Sequence, residues 1–258
     1  MILCLMVSAC ALAPASAGAS VARPPVSLVA SPSHVTLVGK ARQTIRITDS
    51  GTERVVVDVV RAGFALDLRG RPKIVARQAG SRPAASWLRV RPRRLAIAPG
   101  GGVLLTVSSA PSRQAEPGDH QALVVLTTRP HPRRGLAVRM RIGIVVVVRV
   151  PGRIVRRLVP LALHVRRHGR TRLLELLVAN RGNVTELFDR GCVIVTLRRR
   201  DRVLARLQPL QRPLLPRTRG IAELRYRGPA RGRVLALVEP AVRHPCPRGP
   251  RRVFRIRL

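Results

Sequence analysis

Acidic and aromatic residues are the two scarce classes in this 258-residue sequence. Only 12 residues are Asp or Glu, against 49 Lys or Arg, which gives a formal net charge of +37. Aromatic residues make up 2% of the chain, so Val, Leu, Ile and Ala must fill any core. With 46% hydrophobic residues the chain can still form ordinary folded domains, which argues against global disorder.

The scarce carboxylates and the scattered histidines argue against catalysis. His120, beside Asp119 in a Pro-Gly-Asp-His turn, is the nearest approach to an acid–base pair, and no Gly-x-Ser-x-Gly motif accompanies it. His244 and Cys246 are the closest pair of metal-ligand types, and no Cys-x-x-Cys motif adds to them. We therefore predict a protein that is not an enzyme and that has no catalytic, cofactor-binding or metal site.

The positive charge has two explanations. One is an anionic partner, such as nucleic acid, anionic lipid or an anionic cell-wall polymer. The other is codon bias, because nearly all the basic residues are arginine, and arginine, alanine, glycine and proline have GC-rich codons. Under either explanation, a folded surface this positive attracts polyanions at low salt.

The first twenty residues, MILCLMVSACALAPASAGAS, predict an exported protein. An apolar run is followed by Ala15-Ser16-Ala17, so we expect residues 1–17 to be a signal peptide. The alternative is a bacterial lipoprotein signal at Val7-Ser8-Ala9-Cys10, with Cys10 as the lipidated residue. The expected location is secreted or cell envelope, with no transmembrane helix after leader removal.

Removal of the leader would leave two cysteines, Cys192 and Cys246. In an exported chain such a pair is expected to form a disulfide bond. The bond would contribute roughly 4 kcal/mol in the chain-entropy model. Two free buried thiols are the alternative.

Short runs rich in Val, Ile and Thr predict β-strands throughout the chain. Gly, Pro and Asp-Ser-Gly separate these runs at intervals of about ten residues. No apolar period of 3.6 residues persists long enough to indicate a helix. Many short strands with regular turns are typical of an all-β sandwich or barrel.

The clearest predicted strand runs from Leu136 to Val150. Its even-numbered residues are all apolar, so one face should be buried along the whole length. The other face begins with Arg139 and becomes apolar at Val145 and Val147. That change indicates an interface with another domain or with a partner.

Landmarks on the two sides of Pro151-Gly152 occur in the same order, which predicts two related β-sandwich domains. The turn Asp49-Ser50-Gly51-Thr52 corresponds to Asn180-Arg181-Gly182-Asn183. The predicted domains cover residues 25–150 and 153–258. The first half has extra residues, which we place within Gly63 to Trp87.

The segment VANRGNVTELFDRGC, Val178 to Cys192, is crowded with candidate features. It contains a glycosylation triplet at Asn183, two acidic residues, Glu186 and Asp189, and a cysteine. Its correspondence to the first-half turn predicts a turn between strands instead of a site. We expect the two acidic residues to pair with nearby arginines.

Turn motifs carry a resemblance to a known fold. The stretch SWLRVRPRRLAIAPGGGVLLTVSSAPSRQAEPGDHQALVVLTT, Ser86 to Thr128, resembles the end of an immunoglobulin-like domain of bacterial surface and periplasmic proteins. Two such domains in tandem resemble the WxL-interacting surface proteins of Gram-positive bacteria and, more distantly, the PapD-like periplasmic chaperones. The resemblance covers residues 25 to 258 and implies two tandem immunoglobulin-like β-sandwich domains after the signal peptide.

The resemblance to WxL-interacting proteins implies a non-catalytic envelope protein. Its partner would be peptidoglycan, another anionic wall polymer or a surface protein. Those proteins usually end in a membrane helix and a basic tail, which this sequence does not show. Surface anchoring is therefore expected to depend on lipidation of Cys10.

The resemblance to PapD-like chaperones implies an alternative function. Those chaperones cap pilus subunits with the last strand of their first domain, which here is Leu136 to Val150. The candidate partner-facing residues are the alternate apolar positions Val138, Met140, Ile142, Ile144, Val146 and Val148. The simpler alternative is an ordinary core strand that continues into the linker.

A basic nucleic-acid-binding protein is the alternative from another functional class. Arginine clusters at 166–167, 198–200 and 251–252 could contact phosphate groups. The near absence of aromatic side chains for base stacking, and the predicted export signal, argue against it. The sequence around residues 198–203 is better explained as a turn between two strands.

Overall fold

The computed structural model describes residues 23–75, 84–129, 139–169, 171–188, 192–210, 212–240 and 246–258. These residues form β-strands with one turn of 3-10 helix at Ala85–Trp87, and the all-β prediction is confirmed. Ten strands belong to the first half: β1 (Leu28–Ser31), β2 (His34–Val38), β3 (Arg42–Asp49), β4 (Val55–Leu66), β5 (Pro72–Val75), β6 (Leu88–Arg91), β7 (Arg94–Ile97), β8 (Gly102–Ser109), β9 (Gly118–Thr128) and β10 (Arg141–Val150).

The strands of the second half follow the same alternation of extended runs and short turns. They are β11 (Leu158–His168), β12 (Thr171–Asn180), β13 (Glu186–Leu187), β14 (Val193–Arg199), β15 (Arg202–Leu207), β16 (Pro213–Leu214), β17 (Arg219–Tyr226), β18 (Arg233–Pro240) and β19 (Arg252–Arg257). The predicted turn after residue 199 is confirmed. The domain limits 25–150 and 153–258 stay a prediction.

Each half is a β-sandwich. In the first, one sheet has the order β1-β3-β8-β6, and the other has the order β2-β10-β9-β4-β5, with β7 also pairing with β4. In the second, β11-β12-β17 faces β15-β14-β18-β19, and β13 pairs with β16. The run β5-β4-β9-β10 thus has the same neighbours as β15-β14-β18-β19, as expected of a repeated domain.

The matching turns found in the sequence also share their hydrogen bonds. Asp49 Oδ1 accepts a hydrogen bond from the backbone N–H of Gly51 at 2.9 Å. Asn180 Oδ1 accepts the corresponding bond from Gly182 at 2.8 Å. Both side chains are buried and fold the chain into the same Asx turn. The segment that begins at Val178 therefore contains the predicted turn.

Aliphatic side chains fill both cores, as the scarcity of aromatics requires. Ile45, Ile47 and Leu105 are among the fully buried side chains of the first sandwich. Leu176 and Leu197 are fully buried in the core of the second sandwich. The alternation of buried and exposed residues along β2 and β3 shows why period-2 patterns were informative.

The predicted disulfide bond between Cys192 and Cys246 is present in the second sandwich. Their Cα atoms are 5.2 Å apart. Cys192 immediately precedes β14, and Cys246 lies between β18 and β19. The bond therefore ties the start of one strand to the connection between two others in the same sheet.

The hairpin of β4 and β5 reaches from the first sandwich onto the second. β4 has 12 residues, whereas its counterpart β14 has 7. Leu68, in the hairpin turn, accepts a backbone hydrogen bond from Ile221 of β17 at 2.6 Å. The distal part of this hairpin lies within the range, Gly63 to Trp87, that we predicted to hold the extra residues.

Arg69, at the tip of this hairpin, bridges two carboxylates of the second sandwich. Its Nη2 lies 2.9 Å from Glu175 Oε1, and its Nη1 lies 3.1 Å from Glu223 Oε1. Glu175 and Glu223 are direct cross-strand neighbours on β12 and β17. Like charges in that position repel one another, and the guanidinium offsets the repulsion. The hydrogen bond to Glu175 raises the pKa of Arg69.

An apolar cluster completes the contact between the sandwiches. Phe64, Leu123 and Val125 of the first sandwich pack with Leu215 of the second, and half-buried Val145 joins them. Leu215 belongs to a turn closed by a hydrogen bond from Thr218 Oγ1 to its carbonyl oxygen at 2.8 Å. Burial of these apolar side chains between the sandwiches favours one fixed arrangement of the two.

We predict that Arg69→Leu destabilises the protein and that Glu223→Gln partly reverses the loss. Without Arg69, Glu175 keeps Arg166 at 3.4 Å and Glu223 keeps Arg212 at 3.6 Å, but no cation bridges the two carboxylates. Removal of one charge relieves the remaining repulsion. Thermal unfolding should show a fall of roughly a few degrees for the single variant. Arg94→Leu, which breaks an exposed pair with Asp58, is the control and should change little. A double variant less stable than Arg69→Leu would contradict the prediction.

Candidate partner-binding edge of strand β10

Strand β10 is shorter than the sequence predicted. It begins at Arg141, not at Leu136, and Arg139 and Met140 precede it as irregular chain. Residues 130–138, including the candidate Val138, lie outside the described residues. The alternation of apolar residues extends beyond the strand because Met140 packs on the core from an irregular segment. The end at Val150 is as predicted, immediately before Pro151.

The even-numbered face of β10 belongs to the core of the first sandwich. Ile144, Val146 and Val148 are each 0% exposed. Their side chains are therefore unavailable to a partner, and for these three the simpler alternative of a core strand is correct. Met140 and Ile142 are half-buried and pack against the edge of the same core.

The backbone of β10 has one fully paired edge and one partly paired edge. β9 pairs with it antiparallel along its whole length, from Arg141 to Val150. β2 pairs with it in parallel on the other side, but only from Val145 to Arg149. On that side the segment Arg141 to Ile144 has no partner strand among the residues that the structure describes.

The direction of the unpaired backbone groups follows from the hydrogen bonds at the ends of β10. Thr128 N–H donates to the carbonyl oxygen of Met140 at 3.0 Å, so even-numbered residues bond to β9. Val145 N–H donates to Ser33 on the opposite side at 3.0 Å. By this alternation, Arg141 and Gly143 direct their N–H and C=O groups toward the open edge.

The path of the chain before β2 explains why the edge is open. β1 pairs with β3 in the first sheet, whereas β2 pairs with β10 in the second. The chain changes sheets between Ser31 and His34 and passes through Pro32, which has no backbone N–H to donate. The chain therefore reaches β10 only at Val145.

The odd-numbered face of β10 becomes apolar at Val145 and Val147, and the sequence predicted contact there with another domain or with a partner. Val145 packs beside the interdomain cluster, and Val147 is 4% exposed. Gly143 is exposed, but a methyl group at its Cα would lie 3.1 Å from the Leu123 side chain. The cluster between the sandwiches therefore reaches β10 at Val145, the residue next to the open edge.

Asp119 connects β9, β10 and the second sandwich. It is 1% exposed, and it lies directly opposite Arg149 in the sheet. Its Oδ1 accepts from Arg149 Nε at 2.7 Å, and its Oδ2 accepts from Arg149 Nη2 at 3.0 Å and from Thr185 N–H at 2.8 Å. The bond to Asp119 raises the pKa of Arg149.

Asn183, the first residue of the possible glycosylation triplet, uses its amide side chain within the interface. Nδ2 donates to the carbonyl oxygens of Pro117 at 3.0 Å and Arg153 at 2.8 Å, and Oδ1 accepts from Val155 N–H at 2.7 Å. Its own carbonyl oxygen accepts from Asp119 N–H. The backbone of Gly118 has φ of +114°, and a Cβ there would lie 2.1 Å from that carbonyl oxygen. Only glycine suits this approach.

Glu186 is a buried acidic residue in the same region, and its pairing with a nearby arginine was predicted. It is 1% exposed, and its Oε1 accepts from Arg156 Nε at 3.0 Å. Burial raises the pKa of Glu186, while the bond to Arg156 acts in the opposite direction. The second predicted acidic residue, Asp189, lies outside the described residues.

His120, the candidate base of an acid–base pair, has a structural environment. It is 3% exposed, and its Nε2 lies 2.8 Å from the carbonyl oxygen of Glu116. Its ring centroid lies 4.6 Å from that of Trp87. The neighbouring Asp119 carboxylate is turned to Arg149 and Thr185, so the two side chains do not form a catalytic pair.

Residues 1–17, Cys10 and His244 lie outside the described residues, so the signal peptide and the lipidation site stay predictions. Within the described ranges, no three His, Cys, Asp or Glu side chains are grouped so as to hold a metal ion. The same ranges contain no helix long and apolar enough to cross a membrane.

Comparison with known proteins yields structural similarities alone. No family model matches the sequence, and no curated protein is found as a relative. The class 5 fimbriae chaperone CfaA has 10% identity and a TM-score of 0.48, over 89% of this chain and 98% of the other. The Pseudomonas aeruginosa CupB2 chaperone has 14% identity and a TM-score of 0.43, over 89% and 100%.

A chain from the Salmonella enterica complex of the SafA pilin with the SafB chaperone is similar as well. It has 11% identity and a TM-score of 0.46, over 90% of this chain and 96% of the other. Similarities this distant assign no function to the present chain. The resemblance to WxL-interacting proteins gains no support from these structures and stays a prediction.

We predict that Asp119→Asn lowers the free energy of unfolding by about 2 kcal/mol, because it weakens charge-assisted hydrogen bonds to a buried carboxylate. Arg149 is partly exposed, so water can solvate the unpaired guanidinium and limit the loss. Denaturant unfolding would measure the change. Asp58→Asn is the control, because that carboxylate also accepts charge-assisted hydrogen bonds, from Arg94 and Arg129, but is far more exposed than Asp119. Equal losses in both variants would contradict a special role for Asp119.

A second prediction concerns pH. The folded pKa of Glu186 is raised above its ordinary value of 4.5, so the folded state binds this proton more tightly than the unfolded state. The stability from this group is therefore present below pH 4.5 and lost as pH rises through the folded pKa. Glu186→Gln lacks this loss, and its stability relative to the wild type should increase across that window. If the difference in stability between Glu186→Gln and the wild type did not change with pH, the pKa of Glu186 would not be raised by its burial, and the prediction would be wrong.

Proposed function

We propose that this protein is a non-catalytic binding protein of the cell envelope that holds an extended segment of a protein partner. The partner segment adds as a strand to β10, beside Arg141 and Gly143. The observation that carries the proposal is the edge of β10, where β2 pairs with Val145 to Arg149 and leaves the preceding residues open. The predicted signal peptide supports the location.

Backbone groups would supply most of the affinity. Arg141 and Gly143 together present two N–H donors and two C=O acceptors in the spacing of a β-ladder. A partner strand that follows the direction of β2 or opposes it would satisfy these groups. Strand addition of this kind takes its strength from main-chain hydrogen bonds and its selectivity from alternate side chains.

Side chains at the same edge indicate which partner sequence would fit. Met140 and Ile142 are half-buried at the border of the core, so they can cover an apolar side chain of an added strand. Arg139 and Arg141 are exposed beside them. The partner segment would therefore alternate apolar and polar residues and carry acidic residues nearby.

The predicted contact with peptidoglycan or another anionic wall polymer is retained as a second candidate. Exposed arginines line a groove of about 730 Å³ between β4 and β6, which supports an anionic partner. The arginines of this groove are Arg61, Arg89, Arg91 and Arg93. A wall polymer would be recognised there by charge, whereas strand addition uses the defined backbone groups of β10.

We predict that Arg141→Pro abolishes binding of an extended peptide while the fold is kept. Proline removes the N–H that faces the open edge, and the first residue of an edge strand tolerates proline. The probe is a ten-residue peptide of alternating Val and Thr with acidic ends, and titration calorimetry measures its binding. We expect the dissociation constant of this variant to be at least roughly tenfold higher than that of the wild type.

Two controls separate the backbone effect from others. Arg141→Gln removes the same charge but keeps the N–H, so it should bind nearly as well as the wild type. Val253→Pro places an equivalent proline on β19, whose outer edge is also unpaired among the described strands. It should leave peptide binding unchanged. The peptide should also slow hydrogen exchange of the Gly143 amide, and slowing on β19 alone would contradict the proposal.

A further inference from the structure

The second sandwich contains a pair of arginines that face one another across two strands. Arg233 of β18 and Arg257 of β19 are direct cross-strand neighbours. Gly232 and Leu258, the next pair, exchange both backbone hydrogen bonds, at 3.1 and 2.9 Å. By the alternation of antiparallel pairing, Arg233 and Arg257 form a non-hydrogen-bonded pair, in which the two side chains lie closest. Like charges in this position destabilise a sheet.

Further arginines surround this pair. In the next row of the sheet, Leu235 lies between Arg198 of β14 and Arg255 of β19. The β14–β15 hairpin, which ends at Arg199 and Arg200, borders the same place. Together these residues line a groove of about 680 Å³: Arg198, Arg199, Arg200, Arg233, Val234, Leu235, Arg255, Ile256 and Arg257.

No carboxylate offsets this charge within the described part of the chain. The groove lining contains six arginines and no acidic residue. Asp201 lies in the adjoining hairpin turn, but there its backbone carbonyl oxygen, not its carboxylate, accepts from Arg198 Nη2 at 3.3 Å. Arg198 Nε is buried and has no hydrogen-bond partner among the described residues. An unsatisfied buried donor of this kind indicates a missing acceptor.

The corresponding acidic pair in the same sandwich shows how such repulsion is offset. Glu175 and Glu223 are also direct cross-strand neighbours, and Arg69 inserts between them. The arginine pair of β18 and β19 has the opposite charge and lacks an equivalent ion from the described chain. A bound anion would occupy the place that Arg69 occupies for the glutamates.

We propose that this groove binds the phosphate oxyanion of a partner molecule, with Arg233 and Arg257 as the main contacts and Arg198 and Arg255 beside them. Guanidinium groups bind phosphate in a planar, two-point geometry, and several together hold a multiply charged phosphate better than a single carboxylate. The site lies in the sandwich that does not contain β10, so it is independent of strand addition.

The phosphate could belong to a soluble molecule or to a lipid headgroup. Leu235 is 40% exposed and Val253 is 58% exposed on the same sheet, which would suit contact with a lipid surface. We therefore use two probes at 0.15 M salt. One is soluble tripolyphosphate, and the other is phosphatidylcholine vesicles with and without phosphatidylglycerol.

The decisive variant is Arg233→Gln with Arg257→Gln. The matched control is Arg42→Gln with Arg46→Gln, which removes the same charge from two exposed arginines of β3 that line neither arginine-rich groove. We expect the decisive variant to weaken binding of at least one probe tenfold or more, and the control less than twofold. Loss with tripolyphosphate assigns a soluble phosphate, and loss with vesicles alone assigns a headgroup.

Stability gives an independent measurement. Without phosphate, Arg257→Gln should raise the melting temperature, because it removes a like-charge contact. Tripolyphosphate should raise the melting temperature of the wild type and leave that of the double variant, Arg233→Gln with Arg257→Gln, nearly unchanged. Equal weakening in the decisive and control variants, or no binding of either probe to the wild type, would overturn the proposal. So would a variant that is stabilised by tripolyphosphate as much as the wild type.

Discussion

The buried carboxylate of Asp119 is the contact on which the arrangement of the two sandwiches depends. A carboxylate that is 1% exposed is costly unless its oxygens are hydrogen-bonded, and here Arg149 and Thr185 supply three donors. Arg149 lies on β10, and Thr185 lies on the turn of the second sandwich. The strand with the open edge is therefore fixed to the second sandwich near its other end, which gives that edge a defined position.

The scarcity of acidic residues makes their placement informative. Asp119, Glu175, Glu186 and Glu223 are all largely buried, and each bonds an arginine. Glu175 and Glu223 bond Arg69 across the contact between the sandwiches, and Asp119 accepts from Thr185 across it. In a chain with +37 formal charge, geometry decides which few of the many arginines reach each buried carboxylate. Codon bias can explain the number of arginines, but it does not explain which of them face a carboxylate.

Local patterns predicted the strands, the Asx turns at Asp49 and Asn180 and the disulfide, because each depends on neighbouring residues or on a single pair. The period-2 pattern also predicted the burial of Ile144, Val146 and Val148. An alternating pattern shows that one face of a strand is covered, but not whether the core of its own domain or a partner protein covers it. The same residues were therefore candidates for the core and for the partner-binding face. The open edge at Arg141 and Gly143 depends on where β2 reaches β10, which is a property of topology.

The two like-charge pairs of the second sandwich lead to different conclusions for the same physical reason. Repulsion between Glu175 and Glu223 is offset from within the chain, because the hairpin of the first sandwich brings Arg69 to them. Its counterpart hairpin, β14–β15, is shorter and ends in arginines, beside the pair Arg233 and Arg257. The repeat therefore places a matching charge at one pair and adds like charge at the other. A pair that the fold does not neutralise is suited to an ion from outside.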